Sequence, residues 1–171
     1  MRILSQILIA SIGILLFVNG CTPSVMQQEE KNKQLFIQGI EAVNSRNWDG
    51  LDTQIAPNYV RHCQATPDVI VNSLDDFKRY LIQDAATFPD SRITIKYLVA
   101  EGDMVAFYCT YEGTQQGPMG PFPASNKKMS LDFSGVHHVE NGKLVETWLT
   151  WDNLAALKQL GHIPPAEQQT K

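Results

Sequence analysis

The chain has 171 residues, 43% hydrophobic, 19% charged and 9% aromatic, which is too apolar for a disordered chain and too charged, away from its start, for a multi-span membrane protein. Its 14 Lys and Arg against 18 Asp and Glu give a net charge of −4 with no basic block, so a phosphate-dominated nucleic-acid partner is disfavoured. Repeats and low-complexity tracts are absent, which leaves one compact domain with something attached at its N-terminus.

The attachment reads as an export signal. Arg2 supplies a positive end, and Ile7 to Val18 is an apolar run of 12 residues. That is short of the roughly 20 needed to span a bilayer core, but it suits a signal-peptide centre. The run ends in Val18-Asn19-Gly20-Cys21, which resembles a bacterial lipobox. The resemblance implies that residues 1–20 are removed and that Cys21 carries a lipid; the polar residues that follow read as a tether, so that 21–33 are the lipidated cysteine and tether. It also implies an envelope location, facing the periplasm from the outer membrane if the cell is Gram-negative. A soluble secreted protein with Cys21 incidental is the duller alternative. On the oxidising side of a membrane a bridge between Cys63 and Cys109 is permitted, though each also suits a small buried hydrophobe. Their spacing, like that of the histidines, matches no metal site.

Helical spacing appears at Leu35-Phe36, Ile40 and Val43, and stops at Asn44 to Asn47. A short second helix carries Trp48, Leu51 and Ile55 up to Pro57, and residues 58–63 read as a brief strand. Ser73 opens a third helix with an approximate capping box, placing Leu74, Phe77, Leu81, Ala85 and Phe88 on one face. After Pro89 the period changes to two. Ile93, Ile95, Tyr97 and Val99 share a face, Glu101-Gly102-Asp103 is a hairpin turn, and Met104 to Tyr111 returns. A Gly- and Pro-rich loop over residues 113–126 precedes a second hairpin, Lys128 to Val139 and Lys143 to Thr150. A final helix starts near Asn153, stops at Gly161, and is followed by a tail over 162–171. Helices first and long meandering strands afterwards predict an α+β fold, a curved antiparallel sheet with helices across its concave face.

From Gln34 to Gly161, about three-quarters of the chain, this order resembles the nuclear-transport-factor-2-like cone, and within it the SnoaL-like polyketide cyclases. The segments that carry the likeness are Asn47-Trp48-Asp49, Tyr59-Val60-Arg61-His62, Gly113 to Gly117, Gly120 to Pro123, and above all His138 to Trp148 followed by Asp152. The last block identifies a fold better than an activity. Residue-by-residue resemblance implies a catalytic His138 and Asp152, in cofactor-independent cyclisation of a small apolar carbonyl or ester compound. Gln115 departs from the His often found there, and Ala124-Ser125 from Thr-Gly.

The residues give a parallel reading. A three-residue connection around Asn141-Gly142 would pair Val139 with Lys143 and put His138, Glu146, Trp148 and Asp152 on one face; a two-residue turn would put His137 there instead. A carboxylate in an apolar pocket is a stronger base near neutral pH, so Asp152 is a candidate to take a proton from carbon, with His138 donating to the enolate. Trp48, Tyr59, Phe77, Tyr80 and Trp148 are candidate walls, and His62 and Glu146 candidate contacts. Each has a structural counterpart: Asp152 directly precedes a helix, where an N-cap belongs, and His138 and Glu146 make a cross-strand couple. The expected partner is a small hydrophobic molecule, with no cofactor, metal or nucleic acid. A non-catalytic ligand-binding module is the rival reading. A protein-interaction module is the third, a homodimer through the outer sheet face, which a patch of Tyr97, Phe107 and Tyr111 would favour.

Overall fold

A computed structural model describes residues 24–164; the expected signal, Cys21 and most of the tail lie outside the described residues. The elements are α1 (Val25–Asn44), α2 (Leu51–Gln54), β1 (Ile55–Cys63), α3 (Leu74–Thr87), β2 (Arg92–Glu101), β3 (Met104–Thr114), β4 (Lys128–Glu140), β5 (Lys143–Trp151) and α4 (Asn153–Leu160). The five strands form one sheet in the order β1-β5-β4-β3-β2, antiparallel except where β1 runs parallel to β5. Helices α1 and α3 cover the two flanks of one face, α1 over β2 and β3 and α3 over β1, while α4 packs on β4. The α+β architecture expected from the sequence is the one observed.

The stretch expected to be a tether is helix instead. Ser24 caps α1 in a reciprocal capping box with Gln27. The polar residues that follow dock the helix rather than solvate a linker. Asn32, buried, donates to Gly102 O at 2.9 Å, and Glu29 Oε1 accepts from Gly102 N at 3.0 Å, so α1 grips the β2–β3 turn. At its far end Asn44 brackets the backbone of Ile93, donating to O and accepting from N at 2.8 Å each, as a neighbouring strand would. Ile55 belongs to β1 rather than to the second helix, which is only four residues long. Pro57 is tolerated in β1 because that strand is an edge.

Two irregularities decide which side chains face inward. Between Ile95 and Tyr97 the β2–β3 ladder shifts by one, so Ile93 and Ile95 face the core whereas Tyr97 and Val99 are exposed. The four residues therefore do not share a face, as simple alternation had suggested. In the last hairpin Asn141 (φ 50°) and Gly142 (φ 74°) form a two-residue turn pairing Glu140 with Lys143. A bulge after His138 then restores His138 opposite Glu146. The expected three-residue turn is absent and the two-residue alternative forms, yet the bulge keeps His138, Glu146 and Trp148 on one face.

The main core joins Phe36, Leu51, Tyr59, Leu74, Leu81, Val105, Phe107 and Leu144. Gly135 lets β4 approach it: a Cβ there would lie 2.3 Å from Trp148 O and 2.6 Å from the Phe107 ring. The loop after β3 is tied down rather than loose. Gln115, fully buried, donates to Pro123 O at 3.0 Å and pairs through Oε1 with His162 Nε2 at 2.7 Å. Cys63 and Cys109 are both buried and unbridged. They lie on strands three spacings apart, about 14 Å along the sheet, whereas a disulfide needs Cα atoms within about 7 Å.

Candidate functional site

Strand alternation splits the expected residues between two faces. On the outer face, away from α1 and α3, His62 Nε2 meets Glu146 Oε1 at 2.7 Å and the His62 ring stacks on Trp148, centroids 5.4 Å apart. His138 lies on the same face, opposite Glu146 in the ladder, with Nε2 3.3 Å from Asp103 Oδ2 and 3.8 Å from Glu140 Oε1. His138, Glu146 and Trp148 share a face as expected, with His62 added to Glu146 and Trp148, but that face is the outer one. Asp152 does not join them. It is exposed and caps α4, Oδ1 accepting from Ala155 N at 2.9 Å. The geometry therefore brings no acid and imidazole from this pair to the concave side, because β4's alternation turns His138 outward and the strand ends before Asp152. Tyr97 is exposed on the outer face, while Phe107 and Tyr111 belong to the inner one, so the three make no common patch.

The inner face carries a different polar constellation. Tyr59, Phe77 and Tyr80 do assemble there: Tyr59 and Phe77 rings lie 5.1 Å apart, Phe77 and Tyr80 6.3 Å. Trp48 packs against the core from the loop before α2. Tyr80 and Asp84 are one helical turn apart on α3, so their side chains share a face. Tyr111, from β3, donates its hydroxyl to Asp84 Oδ2 at 2.9 Å. Burial pushes the Asp84 carboxyl above its usual range, against the pull of Tyr111's hydrogen bond and the charges of Arg46 and Arg61. Burial likewise holds the Tyr80 hydroxyl protonated, its pKa pushed up to about 12.

Arg61 completes the patch. Period-two spacing from Tyr59 turns it inward, and the parallel ladder sets it beside Thr147. Its guanidinium carbon lies 4.6 Å from the Tyr80 ring centroid and 5.8 Å from that of Trp151. The residue is 6% exposed, and Nη1 is buried without a hydrogen-bond partner among the described residues. Around it Phe133, Leu149, Trp151, Tyr80, Asp84 and Tyr111 are only half-buried, because the flanking helices leave the middle of the inner face partly uncovered.

Deeper in, Tyr59 donates to Thr147 Oγ1 at 2.7 Å, and Thr147 Oγ1 contacts His137 Nδ1. A hydroxyl that accepts from Tyr59 has its own proton free for Nδ1, which assigns a neutral imidazole with its hydrogen on Nε2. The ring is packed between Phe36 and Phe107, with centroids at 5.1 and 4.9 Å, and burial drives its pKa down to about 3.

Sequence reasoning missed Asp84, Arg61, Tyr111 and Trp151 as site residues, and held His137 only as the alternative that a two-residue turn would bring in. A signal was present for two of them. Asp84 falls seven residues after Phe77 on the apolar stripe of α3, and Arg61 two residues after Tyr59 in a strand.

Comparison with known proteins places this geometry. A family model described as SnoaL-like polyketide cyclase matches residues 34–160. No curated protein matches the chain. Among solved structures, the chain is similar to TsrD from Streptomyces laurentii, with 27% identity over 78% of this chain and 97% of that one, at a TM-score of 0.71. IdmH from Streptomyces antibioticus, a candidate polyketide cyclase, is 27% identical over 76% and 98% respectively, at a TM-score of 0.68. AclR from Streptomyces galilaeus, a candidate hydroxylase, is 25% identical over 80% and 99%, at a TM-score of 0.69.

Proposed function

The chain belongs to the SnoaL-like polyketide cyclase family, and on that premise we propose that it performs cofactor-independent carbon-acid chemistry on a small, largely apolar carbonyl or ester compound, at the inner face rather than at His138 and Asp152. The carrying observation is Asp84, a carboxyl kept above its ordinary pKa by burial on an otherwise apolar helix stripe. A carboxylate so desolvated is a stronger base toward a C–H activated by a neighbouring carbonyl. Oδ2 is held by Tyr111, which orients the group and leaves Oδ1 to take the proton. Charge then develops on the carbonyl oxygen. Tyr80, protonated and on the same face of α3, is the donor for that oxygen. Phe77, Phe133 and Trp151 supply apolar walls. In a cyclase the enolate carbon attacks a second carbonyl of the same molecule; proton abstraction is the step that precedes it, and a candidate cyclase and a candidate hydroxylase share the fold.

The test isolates that step. Deuterium exchange into the methyl group of 2-acetonaphthone is followed by NMR in D2O with the full chain. Catalysed exchange is expected, and Asp84→Asn should slow it about 100-fold or more. Exchange unaffected by Asp84→Asn refutes the assignment.

The reading includes an envelope location. The lipobox-like Val18 to Cys21 supports it, and only Thr22 and Pro23 separate Cys21 from Ser24, the cap of α1. Lipidation at Cys21 would hold the domain close against the membrane. Metabolic labelling with a fatty-acid analogue, lost in Cys21→Ser, checks this.

A further inference from the structure

Two arginines with opposite fates approach the inner site. Arg46 is well partnered: Nη1 bonds Val43 O, while Nη2 lies within reach of Phe88 O, Pro89 O, Ser91 O and Ser91 Oγ at 2.8 to 3.4 Å. It fastens the end of α1 to the α3–β2 corner. Arg61 is more deeply buried and is not saturated. No carboxylate of the described residues forms an ion pair with it. Asp84, whose field it feels, is bonded to Tyr111 instead.

An unpaired buried guanidinium is costly, and contact with aromatic faces offsets only part of the cost. The Tyr80 and Trp151 rings lie near the guanidinium carbon, and neither accepts a hydrogen bond from Nη1, which is left for an oxygen acceptor. We infer that the molecule accepted here carries a free carboxylate, which Arg61 binds through Nη1 while the reacting carbon lies against Asp84. This rests on the inner-face reading above and adds the substrate class to it. A monoanion fits better than a phosphate, because Arg61 brings a single charge to a patch of half-buried aromatic rings, and the neighbouring cation, Arg46, is committed to backbone carbonyls and Ser91. Nη1 is closed off from solvent, so entry requires a neighbouring side chain to turn aside, and the Trp151 ring lies 5.8 Å from the guanidinium carbon. Trp151 therefore reports binding.

The probes are 2-naphthoate and its neutral isostere 2-naphthamide, titrated against the full chain by tryptophan fluorescence, with Trp151→Phe identifying the signal. The expected result is at least tenfold tighter binding of the acid, abolished in Arg61→Met and partly kept in Arg61→Lys. Equal affinity for the two probes in the parent chain overturns the inference, as does an acid preference that survives Arg61→Met. If Arg61→Met fails to fold, the parent comparison and Arg61→Lys still decide. Asp84→Asn separates the two proposals. Acid preference without any catalysed exchange leaves the carboxylate site standing and removes the carbon-acid reading; Asp84-dependent exchange with no acid preference does the reverse.

Discussion

His137 should make this fold acid-sensitive well above the range where carboxylates titrate. Its imidazole is packed between Phe36 and Phe107, with Nδ1 engaged by Thr147, and its pKa falls from 6.5 to about 3 on folding. A depressed native value means that the unfolded chain binds the extra proton between those two pH values. The contribution to stability is thus complete above 6.5 and is lost as pH falls toward 3. The loss approaches ~1.4 kcal/mol per pH unit, which amounts to about 2 kcal/mol between pH 7 and pH 5. Asp84 works in the opposite sense. Its raised native pKa adds stability that is full at low pH and disappears as pH rises through that value, so the measurement belongs in an Asp84→Asn background. Urea midpoints at pH 7 and pH 5, read with a common m-value, should differ by about 2 kcal/mol in that background. In His137→Gln most of the difference should vanish, even though the variant is less stable at pH 7. An unchanged pH dependence in His137→Gln would refute the claim that this histidine is buried neutral.

Other consequences are simpler to check. Gly135→Ala should destabilise by about 3 kcal/mol in urea titration, since the new methyl meets backbone at 2.3 Å and the Phe107 ring at 2.6 Å. Cys63 and Cys109 should react with a thiol reagent only after unfolding, and intact mass should show no bridge between them; burial pushes the Cys109 thiol up to about 11. Asp132 accepts from Lys96, Tyr108 and Thr110, and those bonds lower its pKa to about 2. Its contribution is present above 3.8 and is lost as pH falls toward 2, so Asp132→Asn should flatten the acid limb of stability below pH 4.

The elements of this fold were legible wherever periodicity and capping agreed. Ser73 caps α3 and Gly161 ends α4 in a left-handed conformation, at the places their sequence signals indicate. The failures have local causes. Polar residues 24–33 suggested a linker because composition cannot show that Asn32 and Glu29 have backbone partners some 70 residues away. The bulges in β2 and β5 each insert one residue, and one residue reverses every face assignment beyond it. Grouping His138 with Glu146 and Trp148 survived only because an unanticipated bulge offset the two-residue turn, the alternative that would otherwise have undone it. Which side of the sheet that group would face was not encoded in the hairpin at all. It depends on where α1 and α3 pack.

That dependence also explains why the inner site was missed. A search for acid–imidazole pairs favours residues close in sequence, whereas Arg61, Asp84, Tyr111 and Trp151 come from four separate elements and meet only when the sheet closes against α3. Asp84 was the local anomaly, a carboxyl on a stripe otherwise made of Leu74, Phe77, Leu81 and Phe88. Stability alone would favour an apolar side chain there, because a desolvated carboxyl weakens the fold at neutral pH and Tyr111 recovers only part of the loss. The same reasoning applies to Arg61, whose edge nothing in the described chain satisfies. Two opposite charges that burial penalises, set on one face and not paired with each other, are poor choices for a core and good ones for a site that must hold an anion and move a proton.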